Sequence, residues 1–389
     1  MSILRILQTQ NMLSDQGLSG AVIFYSRDMY YLTGTAQPGC LILKPDDYRL
    51  CIHHGKEVAA RETWIPTDKM IFDLKWQHVF YELFPGQGKG ERVGALLDVL
   101  PAAKVRKVQK TLGQREMVNF SPSLLELRAI KDDLEVEFIK RACVAVDAGH
   151  KAAISALEPG VTELEISAAI ENAHRLAGHE GLFFMRQHDF VMGRGPLASG
   201  PNLQNISGVV FSITGTGLTP AVPAGASRRR LSVGDLVLVD IPTCVMGYHA
   251  DQTRMYALER ISRRARDAYV RLHSVADFVI DALRPGQTCN EVFTMAMEKA
   301  KKFNLAESFL RFPSGIRAHF VGHGLGLELN EPPLLAKGNE HVLQAGMVLA
   351  LEMHICEQNS LTLKLEDTVL LSDSGCQLLT QSPRDLSCV

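Results

Sequence analysis

The strongest constraint on this chain is an internal repeat that ends each time in a pair of acidic residues. Leu231–Asp240 and Leu343–Glu352 both read as a turn with a glycine, a short apolar run and a terminal carboxylate. A second acid follows each of these, at Asp251 eleven residues later in the first copy and at Glu366 fourteen residues later in the second. The pattern predicts two matching β-ribbons that each carry two acids.

The repeat extends into the segments upstream of both ribbons. Ala156–Glu165 is matched by Ala282–Glu291, 126 residues later. In both copies Pro-Gly ends one amphipathic helix, a threonine caps the next, and a glutamate three residues on completes a capping box. We therefore predict a duplicated unit of helix, turn, helix and β-ribbon, folded into a pseudo-twofold domain with its site on the axis. The predicted helices are Asp133–Leu157, Thr162–Gly178, Ser262–Leu283 and Thr288–Phe303.

Four carboxylates from two ribbons favour a common cation, because carboxylates at contact distance otherwise push protons back onto one another. His323, which stands between Gly322 and Gly324, adds a nitrogen donor. A histidine in a glycine-rich turn is more often structural, but a neutral imidazole is also a common ligand of divalent ions. A donor set of mostly oxygens with one imidazole favours a pair of Mn, Co, Fe or Zn ions bridged by carboxylates.

The composition excludes several function classes. The 389 residues are 46% hydrophobic and 22% charged, and a formal net charge of −2 gives no electrostatic basis for binding nucleic acid. No run approaches the ~20 apolar residues of a membrane span, and the amino-terminal segment lacks the pattern of a signal peptide. The eight cysteines are scattered, without metal-binding spacing. We therefore expect a cytoplasmic protein with reduced, mostly buried cysteines and no membrane partner.

The chain divides into two predicted domains. Residues 1–125 alternate short apolar segments with helical ones, and Tyr30–Gly34 is among the predicted strands of this α/β domain. Residues 127–389 carry the duplication. Within them, the Gly- and Pro-rich stretch Gly193–Gly225 is unusually long for an irregular loop, so we expect it to cover the site, with one strand near Val209–Phe211.

These features resemble the pita-bread metallopeptidases of family M24, which include methionine aminopeptidase, Xaa-Pro aminopeptidase, prolidase and the related creatinase. Residues 1–125 are similar to the creatinase/prolidase amino-terminal domain, and residues 127–389 to the pita-bread catalytic domain. The resemblance thus covers almost the whole chain and implies an α/β (α+β) protein. The matching motifs are Tyr31–Gly34, Val239–Ile241, Ala250–Arg254, Gly322–Gly326, Leu351–Glu352 and Leu365–Asp367.

The family pattern of Asp, Asp, His, Glu and Glu falls on the candidate metal ligands Asp240, Asp251, His323, Glu352 and Glu366. The resemblance implies two divalent ions, of Mn, Co, Zn or Fe, that share and activate a hydroxide. Asp251 and Glu366 would bridge the ions. Asp240 would bind one ion, while His323 and Glu352 would bind the other. Glu352 would also carry the proton from the attacking water to the leaving amine.

Two further residues of these motifs receive roles from the resemblance. Thr253 would support the metal ligands. Arg254 would either orient them or bind a carboxylate of the substrate, and a surface ion pair is the structural alternative.

Two non-ligand histidines that hold the substrate in this family are missing. Asn330 stands seven residues after His323, where the first is normally found, and Pro223–Gly225 lies in the region of the second. Asn330 can hydrogen-bond a substrate or an oxyanion, but it cannot transfer a proton. The histidines that could compensate are His319, the best candidate, and His188, His249 and His354.

We therefore predict a hydrolase that cleaves short peptides by attack of a metal-bridging hydroxide, as a homodimeric Xaa-Pro dipeptidase or aminopeptidase. A creatinase-like hydrolase or lyase that acts on a small non-peptide molecule is the first alternative, although creatinase-type members tend to lose ligands that this chain retains. A catalytically silent pita-bread binding module is the second, and metal binding without turnover would favour it.

Overall fold

The computed structural model describes residues 3–72, 74–187, 192, 194–208 and 212–389. The chain forms two compact units, Met1–Arg128 and Ala129–Val389. His188 and the strand predicted near Val209–Phe211 lie outside the described residues. Within the described part of the chain, no helix combines the length and the apolar character needed to cross a membrane.

The first unit is built on a six-stranded mixed sheet. Its elements are α1 (Ile3–Asp15), β1 (Gly20–Ile23), α2 (Ser26–Thr33), β2 (Gly39–Leu43), β3 (Tyr48–Ile52), α3 (Lys56–Glu62), β4 (Met70–Phe72), α4 (Trp76–Leu83), β5 (Arg92–Ala95), α5 (Ala102–Leu112), β6 (Glu116–Asn119) and α6 (Ser121–Ala129). The strand order is β4-β3-β2-β1-β5-β6. β1 is antiparallel to β2 and parallel to β5, and its side chains are buried.

One strand predicted in this unit is wrong. Tyr30–Gly34 forms the end of α2, and Gly34 adopts the left-handed conformation (φ 82°) as its N–H donates to the carbonyl of Tyr30. Glycine commonly ends helices in this way, because it has no Cβ to oppose a positive φ. A short apolar run carries no period that separates a helical turn from a strand.

The second unit contains the duplication around a larger sheet. Its elements are α7 (Asp133–Ala156), α8 (Glu163–Leu176), β7 (Leu197–Ser199), β8 (Leu236–Asp240), β9 (Thr243–Val245), β10 (Tyr248–Ala250), β11 (Thr253–Ala257), α9 (Arg263–Ala282), α10 (Cys289–Lys302), β12 (Phe320–Gly324), β13 (Glu331–Ala336), β14 (Val348–Glu357), β15 (Leu361–Ser372), β16 (Gly375–Leu378) and β17 (Ser387–Cys388). The strand order of the main sheet is β13-β12-β14-β15-β11-β8-β7; β16 pairs with β15 and β17 with β11. β9 and β10 form a separate hairpin between β8 and β11.

The predicted helix starts of the repeat are confirmed. Thr162 accepts a hydrogen bond from the N–H of Glu165, whose carboxylate accepts one from the N–H of Thr162 at 2.8 Å. Thr288 and Glu291 form the same reciprocal pair at the start of α10. Each capping box satisfies N–H groups that a helix start otherwise leaves without partners.

The described residues of the stretch Gly193–Gly225 are less irregular than predicted. Leu197–Ser199 forms β7, which pairs with β8 at the edge of the main sheet, and Gly200–Gln204 forms a short 3-10 helix. Apolar residues in short runs between turns can join a sheet edge without showing the alternation that marks longer strands.

Six of the eight cysteines are buried and all are free, as expected, while Cys388 is exposed.

Candidate metal centre

The five predicted ligands converge in the middle of the main sheet. Asp240 ends β8, Asp251 precedes β11, His323 lies on β12, Glu352 on β14 and Glu366 on β15. The register fixes their neighbours, because Thr253 pairs with both Asp240 and Glu366, and Glu352 pairs directly with Glu366. Residues separated by more than a hundred positions thereby lie side by side. Their roles as ligands stay a prediction.

Three of these residues form the tightest group. Asp251, His323 and Glu366 each offer a donor atom that lies within 4.8 Å of the other two. The Nδ1 of His323 is 2.9 Å from the carbonyl oxygen of Gly324. An N–H at Nδ1 donates to that carbonyl and leaves the Nε2 lone pair available to a cation, which is the arrangement usual in metal-binding histidines.

The charge state of the acids is consistent with a bound cation. Burial, then the negative charges of Glu366 and Asp240, raise the pKa of Asp251 well above its usual value. Burial, with repulsion from Glu352 and Asp240, raises the pKa of Glu366 to about 8. Buried carboxylates of this kind are ionised only when positive charge compensates them. Buried oxygen donors with one imidazole therefore suit a divalent ion of the Mn, Co, Fe or Zn type.

Lys364 is the residue at this centre that the sequence reasoning missed. Its Nζ lies 2.7 Å from Asp240 Oδ2, 2.9 Å from Glu352 Oε2 and 3.0 Å from Glu366 Oε2, and it donates to Ser212 Oγ at 3.2 Å. A signal existed, because residues two apart on a strand face the same side of a sheet and Lys364 stands two before Glu366.

The lysine and the acids change one another's protonation. Burial alone would lower the pKa of Lys364, but the carboxylates, Asp240 foremost, raise it well above its usual value. Burial raises the pKa of Glu352, but Lys364 and then His323 outweigh that effect and lower it overall. The ammonium thus acts as a resident cation among three of the four acids.

The two motif neighbours Thr253 and Arg254 are both buried. The Thr253 hydroxyl donates to Glu366 Oε2 at 2.7 Å, so it holds that carboxylate in place. Arg254 is only 1% exposed, which excludes the surface ion pair. Its guanidinium donates to the Glu366 carbonyl at 2.7 Å and to Asp367 Oδ1 at 2.6 Å. This geometry favours orientation of the ligand strand over substrate binding.

The residues predicted to handle the substrate lie outside the buried cluster. Asn330 and His319 are exposed, the first just before β13 and the second just before β12. At Pro223–Gly225, the N–H of Gly225 donates to the carbonyl of Thr214 at 2.7 Å. His249 is buried, accepts the N–H of Phe184 at Nε2 and faces the Gly326 carbonyl with Nδ1, so it holds backbone segments together.

His354 lies next to the acids in the sheet. It stands two residues after Glu352 on β14 and pairs in register with Lys364 on β15. Its ring is buried and stacks on Phe312 with centroids 4.6 Å apart, and its Nε2 has no hydrogen-bond partner among the described residues. Burial first, and then Lys364, lower the pKa of His354 to about 4 despite Glu352. The ring is therefore neutral at ordinary pH.

Comparison with known proteins identifies the family to which the chain is similar. The model of metallopeptidase family M24 matches residues 137–373, and that of the creatinase/prolidase N-terminal domain matches residues 5–130. A Xaa-Pro dipeptidase of Pyrococcus furiosus is 26% identical over 92% of both chains, and a probable dipeptidase PepE of Mycobacterium tuberculosis is 28% identical over 96% of this chain and 92% of its own.

Solved structures show the same architecture. The dipeptidase PepE from Mycobacterium ulcerans superposes with a TM-score of 0.80 at 25% identity, over 99% of this chain and 97% of that one. A Xaa-Pro dipeptidase from Bacillus anthracis gives a TM-score of 0.82 at 22% identity over 99% of both chains, which shows a common fold. The predicted fold class is confirmed. The matched family models, together spanning most of the sequence, show that this chain belongs to metallopeptidase family M24.

Proposed function

We propose that this chain is a divalent-metal-dependent Xaa-Pro dipeptidase or aminopeptidase that hydrolyses short peptides. The observation that carries the proposal is the convergence of Asp251, His323 and Glu366 on one buried point, each from a different part of the sheet. The names of the relatives support a peptide substrate over the creatinase-like and silent alternatives. Residues 127–389 would form the catalytic domain and residues 1–125 the amino-terminal one, in a cytoplasmic homodimer.

Asp251, His323 and Glu366 would hold a divalent ion, with Mn or Co as the first candidates and Zn or Fe as others. Such an ion supplies Lewis acidity, which lowers the pKa of water and polarises the scissile carbonyl. The resemblance implies two ions, of which the second would need Asp240. Lys364 competes directly for that carboxylate.

Glu352 is the best placed of the acids to move a proton. Its side chain is 12% exposed, against 6% for Asp240 and 1% for Glu366, so it forms the open side of the cluster. A carboxylate at that side can accept a proton from the attacking water and deliver it to the leaving amine. Asn330 would hydrogen-bond the substrate from the surface, and His319 remains a further candidate for that role.

The test is hydrolysis of a panel of Xaa-Pro dipeptides and tripeptides by protein loaded with Mn or Co. We expect turnover that depends on the metal and that falls by at least about 100-fold in Glu352→Ala, since general acid–base catalysis contributes ~10²–10⁴-fold. Asn330→Ala should raise KM more than it lowers kcat. Metal binding without turnover of any member of the panel would contradict the proposal.

A further inference from the structure

We propose that the ammonium of Lys364 takes the place of one of the two divalent ions, so that this chain holds a single ion at Asp251, His323 and Glu366. The inference rests on the proposed function only in that the centre binds a divalent ion. It changes the number of ions, and it gives a lysine the position that a second metal would hold.

The contacts of Lys364 are those of a cation that fills a site. The Nζ of Lys364 donates a hydrogen bond to Asp240 at 2.7 Å and lies at ion-pair distance from Glu352 and Glu366, at 2.9 and 3.0 Å. A divalent ion binds carboxylate oxygens at ~2.0–2.2 Å. An ion bound to the same oxygens would therefore overlap the space that Nζ occupies. The positive charge of the ammonium would also repel it.

The side chain is held there by the sheet and by burial. Lys364 lies within the continuous ladder of β14 and β15, opposite His354, and its side chain is 3% exposed. Because the strand alternates, its face is fixed by that of Glu366 two residues on. Ser212 adds a hydroxyl oxygen at 3.2 Å from Nζ. Leaving this pocket would expose three carboxylates to one another without compensation.

The other half of the centre keeps the donors that one ion needs. Asp251 and His323 are not among the acceptors of Lys364, and both offer an atom within 4.8 Å of Glu366 and of each other. Glu366 belongs to both groups, since a carboxylate has two oxygens that can serve different partners. The centre is therefore divided between a lysine on the Asp240 side and a metal position on the His323 side.

This division has a chemical consequence. A lysine contributes positive charge and hydrogen-bond donors but no open coordination position. Substrate and water would then meet a single ion, and Lys364 would supply a fixed positive charge beside it.

The experiment counts ions. Metal-free protein is loaded with Mn(II), freed of excess by gel filtration and analysed by inductively coupled plasma mass spectrometry and by electron paramagnetic resonance. We expect one Mn per chain with the resolved hyperfine lines of an isolated ion. Lys364→Met should bind two, with the broadened spectrum of a coupled pair. Lys364→Arg should stay at one, because it keeps the charge.

The matched control is Lys131→Met. Lys131 is also buried and ion-paired, at 3.5 Å from Glu331, but it lies outside the acidic cluster. Its loss should leave the count at one. If Lys131→Met also gained an ion, the gain would reflect a general loosening and the inference would fail.

A second pair of variants keeps the test decisive if Lys364→Met does not fold. In the native background, Asp240→Asn should leave the count at one, because Asp240 serves the lysine, whereas Asp251→Asn should reduce it to zero. Two ions in the native protein, reduced to one by Asp240→Asn, would overturn the inference.

The outcomes separate the inference from the proposed function. Two ions with hydrolysis of Xaa-Pro peptides would refute the role of Lys364 and leave the peptidase standing. One ion without hydrolysis of any peptide would refute the peptidase and leave the role of Lys364 standing. A native protein that binds no divalent ion would refute both.

Discussion

The two β-ribbons of the duplicated unit hold their acids at equivalent places but fill the neighbouring positions differently. Two residues before Glu366, the second ribbon places Lys364 with its ammonium among the acids. Two residues before Asp251, the first ribbon places His249, which binds the N–H of Phe184 instead. The duplication thus determines where the carboxylates lie. The residue two positions before the later acid of each ribbon determines whether a positive charge lies beside them.

A second contrast concerns the threonine that follows each of the later acids by two residues. Thr253 donates to the carboxylate of Glu366, across the two copies. Thr368 bonds to Asp251 in the reverse direction, but through the backbone: it accepts the N–H at 2.9 Å and donates to the carbonyl at 2.8 Å. Thr253 thus holds the carboxylate of one predicted ligand, whereas Thr368 holds the backbone of another.

The largest effect is expected from removing the lysine in metal-free protein. Lys364→Met should destabilise the second unit by ~3–5 kcal/mol, because it leaves buried carboxylates unpaired, and Mn(II) should restore part of the loss. His249→Gln should cost less, ~1–3 kcal/mol for broken hydrogen bonds. Urea denaturation followed by far-ultraviolet circular dichroism measures both. Equal losses of unfolding free energy in the two variants would contradict the proposed difference between the ribbons.

Acid should destabilise the first copy of the repeat through His174. The equivalent position 126 residues later is Ala300, so the second copy lacks this group. Burial lowers the pKa of His174 to about 4. Above its unfolded pKa of ~6.5 the ring has no effect; as the pH falls from there towards 4, only the unfolded chain takes up the proton, and stability falls by up to roughly 3 kcal/mol.

The check for His174 is the urea midpoint from pH 7 to pH 4.5 in native protein and in His174→Gln. The variant should lose less stability over that range. Both tryptophans, Trp64 and Trp76, belong to the first unit. Tryptophan fluorescence therefore serves as the internal control, and a shift confined to that signal would contradict the assignment.

The threonine pair should separate metal affinity from stability. Thr253→Val should weaken Mn(II) binding by ~10–100-fold, the usual cost of losing a partner that holds a ligand. Thr368→Val should instead lower stability by ~1–3 kcal/mol, because it leaves a buried N–H and carbonyl of Asp251 without their partner. Isothermal titration with Mn(II) and urea denaturation distinguish them. Matching affinity losses would show that both threonines act on the ligands alike.

The smallest effect should be the same in both copies. Thr162→Ala and Thr288→Ala each remove the threonine of a capping box, which costs ~0.5–2 kcal/mol. Since both boxes have the same reciprocal bonds, their urea midpoints should shift by similar amounts. A clearly unequal shift would mean that tertiary packing, which differs between the copies, decides how much each helix start contributes.

Much of the fold and of the candidate site could be predicted from the sequence, because the patterns that indicate them are local and occur twice. The capping boxes at Thr162 and Thr288 follow from spacing, and each is formed within a single turn. The acid-bearing motifs also stood out, since a glycine turn, an apolar run and a carboxylate in the same order are conspicuous when they occur twice. The same reasoning failed at Tyr30–Gly34, where a short apolar run fits a helix end as well as a strand.

The tertiary structure decided which side chains surround the acids. Strand alternation predicts that Lys364 and Glu366 share a face of the sheet. It does not predict that this face points at Asp240, which lies 124 residues before Lys364 in the sequence. Only the order of β14, β15, β11 and β8 in the sheet brings those side chains within hydrogen-bond distance. The burial of Arg254 has the same origin, because its partners Asp367 and Ser382 arrive from distant strands and turns. The sequence by itself specifies residue types and their local periodicity, whereas the order of the strands decides which neighbours surround each acid and thereby sets its charge and pKa.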